Sequence, residues 1–154
     1  MNIFVSDRTG ANWFLRPDAT LNKDCSDYWL PDGLDYVIPV PFAYIRIDKN
    51  AKSVATRFAR RYYSTSGYGV YLYTDQLPFC MGQSLDFSTL VSPSSSTGDS
   101  SANSIPALEQ ALSNISSLCS LKSGDLVCIA LENETHKLSK GESYSFMDIK
   151  FSVK

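Results

Sequence analysis

Residues 53–69, SVATRFARRYYSTSGYG, form the densest run of aromatic and basic side chains in the sequence. Val54, Phe58 and Tyr62 recur every four residues, with Ala59 beside Phe58, which predicts a short helix with one apolar stripe. Ser53 is placed to cap its start, and Gly67 and Gly69 end it. Arg57, Arg60 and Arg61 fall off the stripe, and a solvated helix face accounts for them better than an anion site.

Working outward, the flanks read as strands. Upstream, Asp35 to Ile47 is extended, with Ala43, Ile45 and Ile47 on one face and Phe42, Tyr44 and Arg46 on the other. Pro39 and Pro41 both lack an N–H on the same side of that strand, so an edge or a bulge is expected there. Downstream, 69–74 is a strand with Tyr71 and Tyr73 on one face, and a further strand is expected within 85–91. Short strands are expected at 2–5 and 13–15, ended by Pro17, and Pro31-Asp32-Gly33 is a turn.

The stretch from Ser92 to Ser104, SPSSSTGDSSANS, has no aromatic and no branched aliphatic residue and reads as a flexible loop. Ser104 is expected to cap a helix from Ile105 to about Leu121, with Leu108, Leu112, Ile115 and Leu118 as its stripe. A buried strand at 126–131, a polar connection at 132–141 and one long or two short strands at 143–153 close the chain. The sum is a sheet-rich α+β fold with two short helices, and 154 residues suit a single domain over 1–154.

Composition narrows the function classes. Hydrophobic residues are 44% and aromatic residues 12%, as in globular proteins, and a net charge of -2 argues against nucleic acid as a partner. No apolar run is long enough to cross a bilayer, and the start of the chain lacks the pattern of a signal peptide. Cys25, Cys80, Cys119 and Cys128 form no CxxC pair. A cytoplasmic protein with reduced thiols is expected. His136, within Glu132-Asn-Glu-Thr-His136, reads as a solvated loop histidine. No Walker loop, GxGxxG or GxSxG is present.

A collinear series of short segments resembles the fumarylacetoacetate hydrolase family, especially its short bacterial members. Arg46-Ile47, Arg57-Phe58-Ala59 and Arg61-Tyr62-Tyr63 are similar to an "RI…RFAxRYY" segment. Phe14-Leu15-Arg16-Pro17 is similar to F-x-K-P, Leu30-Pro31 to an L-P turn, Ser123-Gly124-Asp125-Leu126 to G-D-L, and Gly141-Glu142 to a second G-D. The resemblance implies a β-roll or barrel fold. It also implies a divalent cation on an E-x-E pair and on the aspartate of a GxDFTARD strand. Those positions here are Val40, Phe42 and Tyr71. Met81 stands for the lysine of a C-K-G segment, Leu131 lies in the place of a G-T-P substrate loop, and the family's H-x-x-E finds no counterpart. Valine and phenylalanine offer no ligand oxygen to magnesium.

The expectation is therefore a degenerate member with no catalytic residues, no metal and no cofactor. Val40, Phe42, Tyr71, Met81 and Leu131 would be vestigial pocket positions, and the first four are expected to converge into packed core. Its function would be association, as a homodimer or with an intact relative, or ligand binding. The alternative is a hydrolase or decarboxylase of small keto acids rebuilt around Asp75, Glu132, Glu134 or His136.

Overall fold

The computed structural model describes residues 1–92, 103–131 and 136–154. The part of the serine-rich stretch at 93–102, and Glu132 and Glu134 with it, lies outside the described residues. Among the described residues there are nine strands: β1 (Ile3–Ser6), β2 (Trp13–Arg16), β3 (Leu21–Asn22), β4 (Ile38–Ile47), β5 (Tyr63–Tyr73), β6 (Thr89–Val91), β7 (Leu126–Ala130), β8 (Ser143–Phe146) and β9 (Ile149–Ser152). The helices are one turn, α1 (Phe79–Gly82), and a longer one, α2 (Ile105–Leu118).

Seven strands make one sheet in the order β2-β1-β7-β4-β5-β6-β3, and β8 and β9 pair as a separate hairpin. β2 and β3 are consecutive in the chain yet lie at opposite ends of that order, so the sheet must curl to let the chain pass between them. Arg16 of β2 bonds to Thr89 of β6 and to the Leu72 carbonyl of β5, which fixes the curl from inside. The architecture is the sheet-rich α+β half-barrel.

Period-two alternation sorts every strand between an inner and an outer face. Ile3 and Val5, Val40, Phe42 and Tyr44, Tyr71, Val91, and Leu126 and Cys128 point inward and pack together. The outward residues split into two cores. Phe4, Ala43, Ile45, Ile47, Val127 and Ile129 pack under α2 through Leu108, Ala111, Leu112 and Ile115. Val70, Leu72 and Leu90 pack under the β8–β9 hairpin through Ile149 and Phe151, with Tyr28 and Val37.

Pro39 and Pro41 sit where β4 has one neighbour. β4 pairs with β5 from Ile38 to Ile47 but with β7 only from Phe42 to Arg46. The Pro41 carbonyl accepts from Leu131 N–H on the β7 side, so the prolines' missing donors face that side and cost β5 no bond.

Five expectations about the helices need correction. Residues 56–62 form a 3-10 helix, with Thr56, Ala59 and Tyr62 turned inward at period three. Phe58 is 36% exposed and lies off the core, held by the Arg57 and Arg61 guanidiniums at 4.7 Å from its ring. Ser53 does not cap this helix: Ala55 precedes the first turn, and Ser53 has φ 52 and donates its N–H to the Ser116 carbonyl. Ser104 precedes α2 without a side-chain cap bond, and Leu118 is 71% exposed because α2 ends there, with Cys119 extended.

Candidate functional site

The half-barrel interior brings together what the sequence separates. Val40 on β4 faces Tyr71 directly across the β4–β5 pair, and the Phe42 and Tyr71 rings lie 6.1 Å apart. All three are buried. Phe14 of β2 meets Tyr71 edge-on at 6.3 Å, and Phe79 of α1 meets Phe14 at 5.1 Å, so an aromatic column runs from the interior to the surface. Gly69 and Gly67 leave room for Phe42 and Tyr44 to lie flat on β5: a Cβ on either would fall within 3 Å of those rings.

Met81 does not join this group, contrary to the expected convergence, and neither does Leu131. Met81 is 57% exposed on α1. The inward position of that turn belongs to Gly82, where a Cβ would lie 2.1 Å from the Thr74 carbonyl oxygen. Leu131 follows β7, whose even-numbered residues face inward. Its odd parity sends it to the outer core under α2.

The polar centre of the interior is a residue that the sequence reading treated only as a motif letter. Arg16 has no exposed surface. Its Nε donates to Thr89 Oγ1 at 3.1 Å and its Nη1 to Gln83 Oε1 at 2.6 Å. Its Nη2 reaches the Leu72 carbonyl at 3.0 Å, the Ser88 hydroxyl at 2.6 Å and the Ser88 carbonyl at 3.4 Å. The guanidinium carbon stands 4.8 Å from the centre of the Tyr71 ring. Burial pulls the guanidinium down to about 10 and pushes the Tyr71 phenol and the Cys128 thiol up. Parity with Phe14 on β2 was the signal available for Arg16. An arginine is ordinarily assigned to the surface, which hid it.

Carboxylates lie at both ends of the half-barrel, Asp75 at one and Asp18 and Asp24 at the other, and none of them hydrogen-bonds Arg16 among the described residues. At the Tyr73 end, Tyr36 donates to Asp75 at 2.5 Å, Lys137 stacks on the Tyr36 ring at 4.4 Å, and exposed His136 is next in the chain. At the other end a cleft of about 950 Å³ opens between Arg46, Leu21, Val91 and Gly124. Among the described residues, no three His, Cys, Asp or Glu side chains come together as a metal site would require. No described helix is long and apolar enough to cross a membrane.

No protein-family model matches the sequence, and no curated protein does. Solved structures do match. A protein of Yersinia pestis CO92 assigned to the fumarylacetoacetate hydrolase family superposes with a TM-score of 0.81 at 14% identity, covering 99% of this chain and 91% of that one. The 5-carboxymethyl-2-hydroxymuconate delta-isomerase of Mycobacterium smegmatis gives 0.79 at 15% identity over 99% and 78%. The fumarylpyruvate hydrolase of Pseudomonas aeruginosa, solved with Mn2+ and pyruvate, gives 0.78 at 12% over 99% and 89%. This chain therefore has the fold of the fumarylacetoacetate hydrolase family, as the short motifs implied.

The residues that the motif resemblance sets in the place of a divalent ion do not fit one. Val40 and Phe42 carry no donor atom, Tyr71 offers one neutral phenol, and the Arg16 charge beside it repels a second cation.

Proposed function

We propose that this chain is a non-catalytic protein on a hydrolase fold, which acts by binding rather than by turning over a keto acid. One observation carries the reading: Val40, Phe42 and Tyr71 pack on one another in an interior where, among the described residues, the charge against them is the Arg16 guanidinium. Acyl-pyruvate chemistry on a metal needs hard oxygen ligands and room for substrate. Interdigitated aromatic rings supply neither. The binding partner we propose is a second copy of the chain or an intact relative of the same fold.

The test is thermal melting with Mg2+ or Mn2+ titrated in, alongside an assay of fumarylpyruvate hydrolysis with the same ions. No shift and no hydrolysis are expected. A ligand selective for the native state must raise the melting temperature, so a saturable rise together with ion-dependent turnover overturns the proposal. Sedimentation velocity, alone and with an intact relative added, tests the association.

A rebuilt enzyme remains the second reading, favoured by the Tyr36–Asp75 bond and the Lys137 stack at one mouth. Hydrolysis that needs no ion and is lost in Asp75→Asn would select it.

A further inference from the structure

The Arg16 guanidinium is a buried cation with no carboxylate against it among the described residues. The ion pair found among the described residues, Lys154 with Asp27 at 3.7 Å, is at the surface. The acids that act on Arg16 are the phenols of Tyr71 and Tyr28 and the thiol of Cys128, all neutral at ordinary pH. What surrounds the guanidinium is oxygen. Two main-chain carbonyls (Leu72 and Ser88), two hydroxyls (Ser88 and Thr89) and one amide oxygen (Gln83) converge on it from β5, β6 and the segment after α1. Arginine is ordinarily set against carboxylate or phosphate, in a planar fork. A shell of carbonyl, amide and hydroxyl oxygens is instead the environment in which proteins hold a hard cation.

Most of this shell has partners besides the arginine. The Ser88 hydroxyl is steered by its own donation to the Leu85 carbonyl, and Thr89 Oγ1 is held by Thr20 Oγ1 at 2.9 Å. The Ser88 carbonyl accepts the Leu72 N–H. The Ser88 and Thr89 oxygens are therefore held by bonds of their own, the Leu72 carbonyl by its place in β5, and the side chain of β2 enters a cradle that Gln83 completes.

We propose that this cradle is a cation site which the chain fills with its own residue 16, and that it takes up a free guanidinium-class cation once the tether is cut. The inference rests on the metal-free reading above: a permanently occupied cation site inside the half-barrel leaves no place for an added ion.

The experiment compares Arg16→Lys, Arg16→Met and Arg16→Ala with the wild type by thermal melting, at constant ionic strength. Arg16→Lys keeps a tethered cation and is expected to retain most of the melting temperature that Arg16→Met, of similar length and no charge, loses. Ethylguanidinium, added to Arg16→Ala, is expected to restore at least half of the lost melting temperature saturably and to leave the wild type unchanged. N-ethylurea, with a similar shape and no charge, is expected to restore none. A lysine variant no better than the methionine variant overturns the proposal, as does equal rescue by N-ethylurea. If Arg16→Ala is unfolded alone, its refolding in ethylguanidinium, followed by far-UV circular dichroism, replaces the melt, and failure to refold overturns the proposal. A wild-type response to Mn2+ would remove the metal-free reading, and the lysine–methionine comparison would still decide the cradle.

Discussion

A Cβ built on Gly69 would lie 2.2 Å from Phe42 Cζ and 2.6 Å from the Leu90 carbonyl oxygen. The ring can turn away, but the carbonyl belongs to the β5–β6 ladder and cannot. Gly69→Ala is therefore expected to lose about 3 kcal/mol, the upper part of the overpacking range. Phe42, fully buried against Tyr44 and Tyr71, should lose roughly 3–5 kcal/mol on truncation to alanine. The two are coupled. With Phe42→Ala already in place, Gly69→Ala should cost less than it does alone, but not zero, because the Leu90 contact remains. Urea unfolding of the four proteins measures this, and strict additivity would mean that the ring and the glycine do not touch. At this scale the sequence was informative about Val40, Phe42 and Tyr71: alternation puts the first two on one face of β4, and the motif resemblance set Tyr71 beside them. For Arg16 it offered only parity with Phe14, a signal that the usual surface preference of arginine outweighs.

The 3-10 helix and α2 show where periodicity reads well and where it misleads. In α2 the stripe Leu108, Leu112 and Ile115 is buried as its spacing required, with Ala111 added to it. Leu118 obeys the same spacing but lies past the point where α2 has anything to cover. Leu112→Ala should cost about 2–5 kcal/mol, and Leu118→Ala should stay within about 0.5 kcal/mol. Equal losses in a denaturant titration would contradict the packing described. The segment 56–62 went the other way. Val54, Phe58 and Tyr62 suggest a period near four, but the main chain is pinned by Ser53 N–H to the Ser116 carbonyl and Val54 N–H to Ser116 Oγ. Only small Ala59 then fits beneath, and the tighter coil carries Phe58 outward. Tertiary anchoring of this kind leaves no mark in local spacing. The prolines of β4 were more readable, because a missing donor is a property of the residue itself.

For the whole molecule, the interior chemistry sets the response to alkali. Burial raises the phenols of Tyr44, Tyr63, Tyr71 and Tyr73, raises Tyr28 to about 12, and raises the Cys128 thiol. Above their unfolded values, near 9 for the thiol and 10 for the phenols, the native state holds more of these protons than the unfolded chain does. Stability therefore falls as pH rises. Arg16 works in the opposite sense, since it is lowered to about 10 and the unfolded chain keeps its proton longer. The raised groups outnumber it, so net loss is expected from about pH 9 upward. Urea midpoints at pH 8, 10 and 11 (roughly spanning the unfolded values of these groups) test it, with tyrosinate absorbance as the direct readout. A flat profile would mean the phenols are not desolvated. The resemblance in sequence reached this scale through the order of several weak motifs, and the half-barrel bears out the fold it implied. Its curl and closure rest on pairings between distant residues, which single-strand patterns do not express.

One such pairing governs how the chain can be made. β7 lies between β1 and β4, in parallel register with β1 from Ile3↔Leu126 to Ser6↔Ile129 and antiparallel to β4. Asp125 ties this junction further, accepting from the Asn2 N–H. During synthesis, β1 and β2 therefore have no sheet to join until residue 130 has left the ribosome. Meanwhile β4, β5 and β6 wait with the β4 edge bare, and closure across so many residues is slow. The prolines at 39 and 41 sit on that bare edge, in the half that β7 never covers, and they deny a neighbouring nascent chain the donors it would need to add a strand there. The irregularity that the finished fold tolerates is thus a safeguard for the unfinished one.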